Sequence, residues 1–118
     1  FYPWEGDFDV NKANTGEGDS IGQTTAVGIY PSGKNEALEL YDLSGNVFEW
    51  CLNKYDEDKL AETAVDQSDQ RRVLRGGSWY FDRIDARAAS RSNDGPDNRN
   101  LDYGFRVVVR RPPSHPDL

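Results

Sequence analysis

The chain has 118 residues, of which 36% are hydrophobic and 30% are charged. This length is enough for one compact domain and too short for two. The formal net charge is -7 and the pI is about 4.6. Nucleic acid is therefore not expected as a ligand, because a surface that follows phosphates needs positive charge.

In chain order, the sequence predicts short elements separated by long loops. Strand-like segments cover residues 26–30, 47–52, 72–79 and 105–110, and one short helix is predicted over 58–64. The 11–23 loop and the 81–103 loop are long for a compact domain, and such loops are usually functional. Trp4, Trp50 and Trp79 are expected in the core, where each would bury a large area.

The chain lacks the residues for several kinds of catalytic or metal centre. Cys51 is the only cysteine, so an internal disulfide and a zinc site with paired thiols are excluded. His115 is the only histidine and lies near the proline-rich end, so this chain alone cannot assemble a Ser-His-Asp triad or a histidine metal centre. No apolar run approaches the length of a membrane span, and no signal peptide opens the chain.

Seven sequence motifs follow one another along the chain in a characteristic order and spacing. They are Tyr2-Pro3-Trp4-Glu5-Gly6, Ala13-Asn14-Thr15, Val27-Gly28-Ile29-Tyr30-Pro31, Leu40-Tyr41-Asp42-Leu43-Ser44-Gly45-Asn46-Val47-Phe48-Glu49-Trp50, Arg75-Gly76-Gly77-Ser78-Trp79, Arg87-Ala88-Ala89-Ser90-Arg91 and Gly104-Phe105-Arg106. Together they resemble the formylglycine-generating-enzyme, or sulfatase-modifying-factor, family. The resemblance covers residues 1–111 and leaves 112–118 as a proline-rich tail.

The resemblance implies a fold and a further half of the same domain. The family fold is an irregular α+β variant of the C-type lectin fold, with few short strands and long loops. This chain is similar to its C-terminal half, so the N-terminal half of the same domain is expected elsewhere in the parent protein or as a separate piece.

The resemblance also bears on catalysis. Family members that oxidise sulfatase cysteines use a cysteine pair after the Gly-Gly-Ser motif, whereas residues 79–87 contain no cysteine here. Cys51 follows a different motif, so no catalytic cofactor and no enzymatic activity are expected. Two alternatives stay open. One is a metal-dependent oxidase or sulfoxide synthase with its ligands outside this sequence, and the other is a structural domain appended to a signalling or secretion protein.

Within the family, the chain is most similar to the variable proteins of diversity-generating retroelements. In those proteins, randomised asparagine codons alternate with framework residues, and the substitution of adenines cannot yield Lys, Glu, Gln, Met or Trp. Residues 80–103 contain none of these five types, whereas the other 94 residues contain 17 of them. At that rate about four would be expected in the window, which is an argument from composition. The alternative is an ordinary polar loop.

The resemblance therefore predicts a hypervariable binding surface for an unknown protein or glycan, displayed on a cell or virion. Aromatic anchors combined with small polar side chains resemble an antibody paratope. Arg87, Arg91, Arg99 and Arg106 are expected to brace the loop as buried or half-buried clamps. The predicted ligand-binding residues are Tyr80, Phe81, Asp82, Ile84, Asp85, Ser90, Ser92, Asn93, Asp94, Asn98, Asn100, Leu101, Asp102 and Tyr103.

Two structural calcium sites complete the expectations from the resemblance. The first would use Asp42, Gly45, Val47 and Glu49, whose carboxylates and carbonyls suit a hard cation. The second would use Asn14, Thr15, Asp19 and Ile21, across a loop shorter than in the family. The alternative is that Asp42 and Glu49 accept hydrogen bonds from turn amides without a metal.

Overall fold

The computed structural model of the protein describes residues 1–59 and 61–112. Its centre is a four-stranded sheet in the order β3-β2-β1-β4. The strands are β1 (Phe48–Lys54), β2 (Arg72–Arg75), β3 (Ser92–Asp94) and β4 (Tyr103–Gly104). Single 3-10 turns lie at Pro31–Gly33 and Glu57–Lys59. Long irregular segments connect these elements, as the content of glycine, proline and asparagine predicts.

The sheet is mixed. β1 pairs with β2 in antiparallel register, with Trp50 opposite Leu74, and a register shift interrupts the ladder toward Lys54. β2 pairs with β3 antiparallel, while β1 pairs with β4 in parallel, with Phe48 opposite Tyr103. The start of β1 therefore lies beside the end of the 80–103 segment.

The strand predictions were partly wrong. The 47–52 prediction is confirmed within one or two residues by β1. The 72–79 prediction is too long, because Gly76 and Gly77 adopt φ values of +94° and +69° that end β2 at Arg75. Residues 26–30 form no strand, since Gly28 at φ +85° turns the chain there. Residues 105–110 pair with no strand among the described residues.

The 58–64 helix is also wrong over the residues that the structure describes. Only the 3-10 turn Glu57–Lys59 forms there, and position 60 lies outside the described residues. Asp56 explains the short turn, because its carboxylate accepts the amide of Asp58 and its carbonyl accepts the amide of Lys59. No α-helix occurs in residues 1–59 and 61–112, so the helical part of the α+β expectation is reduced to 3-10 turns.

The core is small and unusually polar. Leu74 is fully buried, and Phe48, Val73 and Ala86 lie almost entirely inside. Hydrogen bonds satisfy several of the buried polar groups between them, as where the Ser44 hydroxyl donates to the Ala86 carbonyl. Of the three tryptophans expected inside, Trp4 is buried, whereas Trp50 and Trp79 are only half-buried.

Arg106 makes the bonds of the predicted clamp, but the residue is exposed and not buried or half-buried as predicted. Its guanidinium binds both carboxylate oxygens of Glu49 and the carbonyls of Tyr41 and Asp42. The residues on either side of it are exposed, with Phe105, Val107, Val108 and Val109 between 74% and 89% exposed. In the described part of the chain, no helix has the length and apolar character to cross a membrane.

Candidate functional site

The two ends of the 80–103 segment lie close together at the sheet, and its middle contributes β3. Before it, the buried Ser78 hydroxyl lies 2.7 Å from Asp102 Oδ2. Near its end, the Asp102 carbonyl accepts the Phe48 amide at 2.7 Å, directly before β4 pairs with β1. This pair of bonds closes the base of the segment and fixes both its ends to the core.

A chain of aromatic rings leads from the core to the outer surface. The ring of buried Phe48 meets Phe81 edge-on at 5.3 Å, Phe81 meets Tyr80 at 5.4 Å, and Tyr80 meets Trp79 at 5.8 Å. Tyr80 is 69% exposed, Phe81 41% and Ile84 56%. Aromatic pairs of this geometry are favourable, so the exposed rings are presented in a fixed arrangement.

The later half of the segment is held by its own side chains. The Asp94 carboxylate accepts the Tyr103 hydroxyl at 2.8 Å, the Gly95 amide at 2.8 Å and the Asn98 side-chain amide. Partial burial raises the pKa of Asp94, but these bonds outweigh burial and leave its pKa below the ordinary value. Burial, and then the bond to Asp94, raises the pKa of the Tyr103 hydroxyl. Arg71 adds a 2.8 Å bond to Asn93.

The predicted ligand-binding residues therefore fall into three groups. The exposed ones are Tyr80, Phe81, Asp82, Ile84, Asn98, Asn100 and Leu101. The half-buried ones are Asp85, Ser90, Ser92, Asn93, Asp94 and Tyr103. Asp102 is buried and bonded to Ser78, so its predicted place on an exposed surface is wrong. Sequence reasoning could not separate Asp102 from its neighbours, because its partner Ser78 is distant in the chain.

The bracing arginines differ in part from those predicted. Arg87 and Arg99 are exposed and Arg91 is half-buried, so Arg87 and Arg99 are not the buried or half-buried clamps that were expected. Arg87 nevertheless donates to the Ile84 carbonyl at 3.0 Å. Arg75, which the sequence did not single out as a clamp, donates to the Ala88 carbonyl. Arg83, also missed, is held by Glu17 at 2.9 Å.

At the first predicted calcium site, nitrogen donors already bind the carboxylates. Both oxygens of Glu49 are bound by Arg106, and Asp42 Oδ2 accepts the Gly28 amide at 2.9 Å. The alternative in which these carboxylates bond turn amides therefore describes Asp42. A calcium ion bound by Glu49 would have to share this carboxylate with the guanidinium.

The second predicted site has an acceptor that fits a cation better. Asn14 is almost fully buried, and its Oδ1 accepts no hydrogen bond from the described residues, while its Nδ2 donates to the Gln23 carbonyl at 2.9 Å. Asn14, Thr15, Asp19 and Ile21 line one cavity of about 290 Å³. Within residues 1–59 and 61–112, no three acidic, histidine or cysteine side chains form a metal-binding group. A cation here would be bound by the Asp19 carboxylate together with amide and carbonyl oxygens, all of which calcium accepts.

Cys51 lies in β1, half-buried. Burial raises the pKa of its thiol above the ordinary value, with the nearby arginines opposing that shift. Low-pKa thiolates are the reactive form of cysteine, so this environment favours the inert thiol.

A small mixed sheet that anchors long, internally bonded loops places the protein in a class of irregular domains with little regular secondary structure. Residues 1–111 match the family described as the sulfatase-modifying factor enzyme 1-like domain, and the chain belongs to this family.

Three relatives illustrate the match. The serine/threonine-protein kinase Pkn1 of Chlamydia trachomatis is 38% identical over 91% of this chain and 17% of its own length. The inactive C-alpha-formylglycine-generating enzyme 2 of Bos taurus is 33% identical over 95% of this chain and 39% of its own. The solved structure of Treponema denticola variable protein 1 superposes with a TM-score of 0.62 and 29% identity, over 80% of this chain and 34% of that one. The chain thus spans well under half of each of these relatives.

Proposed function

We propose that this domain is a non-catalytic binding module with a C-type lectin fold, whose 80–103 segment binds a protein or glycan and varies among sibling copies of the gene. The exposure of Tyr80, Phe81 and Ile84 on a segment closed at its base by Ser78 and Asp102 is the observation that carries this proposal. Exposed aromatic side chains give large contact area at a low ordering cost.

The composition of the segment supports the variable part of the proposal. Its 24 residues contain no Lys, Glu, Gln, Met or Trp, which are the residue types that adenine substitution in an asparagine codon cannot supply. The similarity to Treponema denticola variable protein 1 supports the same conclusion.

Sequencing of sibling gene copies tests the variable surface. The proposal expects substitutions concentrated at the exposed positions of residues 80–103, beside a near-identical template repeat and a reverse transcriptase gene. The rest of the chain is expected to be nearly constant. Substitutions spread evenly over the chain would reject the variable surface and leave an ordinary binding loop.

Selection tests binding directly. A display library randomised at Tyr80, Phe81, Asp82 and Ile84 is expected to yield binders to unrelated protein targets. A matched library randomised at four exposed positions outside the segment, Glu5, Val27, Glu36 and Leu38, is expected to yield few. Equal yields from the two libraries would show that the segment has no special role.

We also propose that the cavity at Asn14, Thr15, Asp19 and Ile21 binds a structural calcium ion. Added Ca²⁺ is expected to raise the melting temperature of the protein, because a ligand that binds only the folded state stabilises it, by about 2.7 kcal/mol at one hundred times its Kd. Asp19→Asn is expected to remove most of this shift, and Asp97→Asn, an exposed control, is expected to keep it.

One result of the calcium titration would contradict the proposed calcium site. If Asp19→Asn shifts with Ca²⁺ as the parent protein does, the cavity is not the site. Asp42→Asn then tests whether the first predicted site, with Gly45, Val47 and Glu49, binds the ion in its place.

A further inference from the structure

Arg83 lies among the exposed residues of the 80–103 segment but is bound differently from them. Its Nε lies 2.9 Å from Glu17 Oε1, and its Nη2 lies 3.3 Å from Glu17 Oε2. Its backbone amide also donates to Glu17 Oε1, at 3.0 Å. One carboxylate thus binds both the side chain and the main chain of the same residue, in the forked geometry that arginine favours.

Further contacts fix the surroundings of this pair. The guanidinium carbon of Arg83 lies 4.9 Å from the ring centre of Phe8, and the hydroxyl of Tyr2 donates to the Arg83 carbonyl at 3.2 Å. The N-terminal part of the chain therefore holds Arg83 through its side chain, its amide and its carbonyl.

The backbone beside Arg83 rests on the same loop as Glu17. The Gly16 amide donates to the Phe81 carbonyl at 2.8 Å, and the Ser20 hydroxyl donates to the Trp79 carbonyl at 3.3 Å. A Cβ atom at Gly16 would lie only 2.7 Å from the Tyr80 carbonyl oxygen, so the approach requires glycine. These bonds use no side chain of residues 80–82.

We propose that Glu17 and Arg83 form a framework pair that positions the exposed side chains around them, so that position 83 is not exchangeable although its neighbours are. The proposal rests on the proposed function of the 80–103 segment as a binding surface. Arginine is among the residues that adenine substitution can supply, so the composition of the segment does not distinguish Arg83 from a variable residue. The bonds to Glu17 make that distinction.

Hydrogen exchange of the free protein tests the pair without any ligand. In Glu17→Gln and in Arg83→Gln, the amides of residues 79–83 are expected to exchange about fivefold faster, the upper end of what an exposed ion pair contributes. Arg99→Gln, an exposed arginine of the same segment, serves as the control and is expected to leave these amides unchanged.

Two further variants separate positioning from general stability. Glu17→Asp keeps the charge and is expected to restore slow exchange in part, while amides of β1 and β2 stay protected in every variant. Unchanged exchange at 79–83 in Glu17→Gln would overturn the proposal. Faster exchange throughout the sheet would also overturn it, because Glu17 would then support the whole fold.

Sibling gene sequences give the second arm of the test. Glu17 and Arg83 are expected to be constant while residues 80–82 and 84 differ, and free variation at 83 would overturn the framework role. If siblings show no variation anywhere in 80–103, the proposed variable surface fails instead, and the exchange experiment still decides whether the pair holds the segment.

Discussion

The side chain of Tyr80 lies mostly outside the core of the fold, unlike that of its neighbour Phe81. Its side chain is 69% exposed, whereas Phe81 packs edge-on against buried Phe48. The two aromatic residues were predicted to act alike as anchors, but only Phe81 bridges the surface and the core. This difference in contact, and not in residue type, determines how each substitution acts.

We therefore expect Tyr80→Ala to leave the melting temperature nearly unchanged. We expect the same substitution to weaken the binding free energy of a partner protein selected to bind the segment by about 2 kcal/mol or more, as at a typical hot spot. Thermal unfolding and titration with that binder measure the two effects. Phe81→Ala is the matched comparison, and it is expected to lower the melting temperature as well. Unfolding of Tyr80→Ala would place that side chain in the core.

The Glu17 carboxylate carries a pH dependence. The side-chain bond from Arg83, aided by the Arg83 amide, lowers the pKa of Glu17 in the folded protein. The unfolded chain therefore binds this proton more tightly, and the stabilisation is complete above the ordinary glutamate pKa. It is lost as the pH falls from that value through the lowered one.

Exchange of the 79–83 amides, measured at stepped pH below neutrality, checks this dependence. Protection is expected to decline in the acidic range in the parent protein. In Glu17→Gln, protection should be weak at every pH and lack that transition. An identical acidic decline in both proteins would assign the transition to other carboxylates.

At the scale of elements, prediction succeeded where local sequence controlled structure. The β1 segment combines aromatic residues with alternation and was placed within one or two residues. The early end of β2 could have been read from Gly76 and Gly77, but the glycines also fit a bulge. β3 was missed because Ser92–Asp94 has little strand propensity and its pairing partner is distant in sequence. β4 was missed because it has only two residues.

The candidate site follows the same division. Its exposed aromatic residues were predicted from motif order and composition. The burial of Asp102 and the roles of Glu17, Arg75 and Arg83 were not, because each depends on a contact across many residues of chain. Such contacts leave no periodic pattern in the sequence.

The closure of the segment can be tested at Ser78. Ser78→Ala leaves the buried Asp102 carboxylate without this partner, which is expected to cost about 1–3 kcal/mol of unfolding free energy. Urea denaturation measures the change. Ser92→Ala in β3, a half-buried serine, is the control and is expected to cost less. A loss no larger than in the control would show that the bond does not hold the base of the segment.

At the scale of the whole molecule, one apolar surface is not covered by any of the described residues. Phe105, Val107, Val108 and Val109 are exposed in the segment that follows β4, the strand at the edge of the sheet. Runs of β-branched residues favour strands, and an exposed apolar edge favours pairing. We propose that further polypeptide of the parent protein, corresponding to the expected N-terminal half of the domain, covers this edge.

Expression of the domain with the sequence that precedes it in the parent gene is expected to protect the amides of 107–109 from exchange and to reduce binding of a hydrophobic dye. Val107→Lys is expected to weaken that protection, whereas Val27→Lys, another exposed valine, is the control. Equal exchange with and without the preceding sequence would contradict the proposal.

The position of Cys51 in the central strand has a practical consequence for all these experiments. A partly covered thiol with a raised pKa reacts slowly with alkylating reagents while β1 stays paired. When that strand separates from its neighbours, the sulfur becomes accessible and ionises more easily. The alkylation rate of Cys51 therefore reports how often the sheet opens, in every variant that keeps this residue.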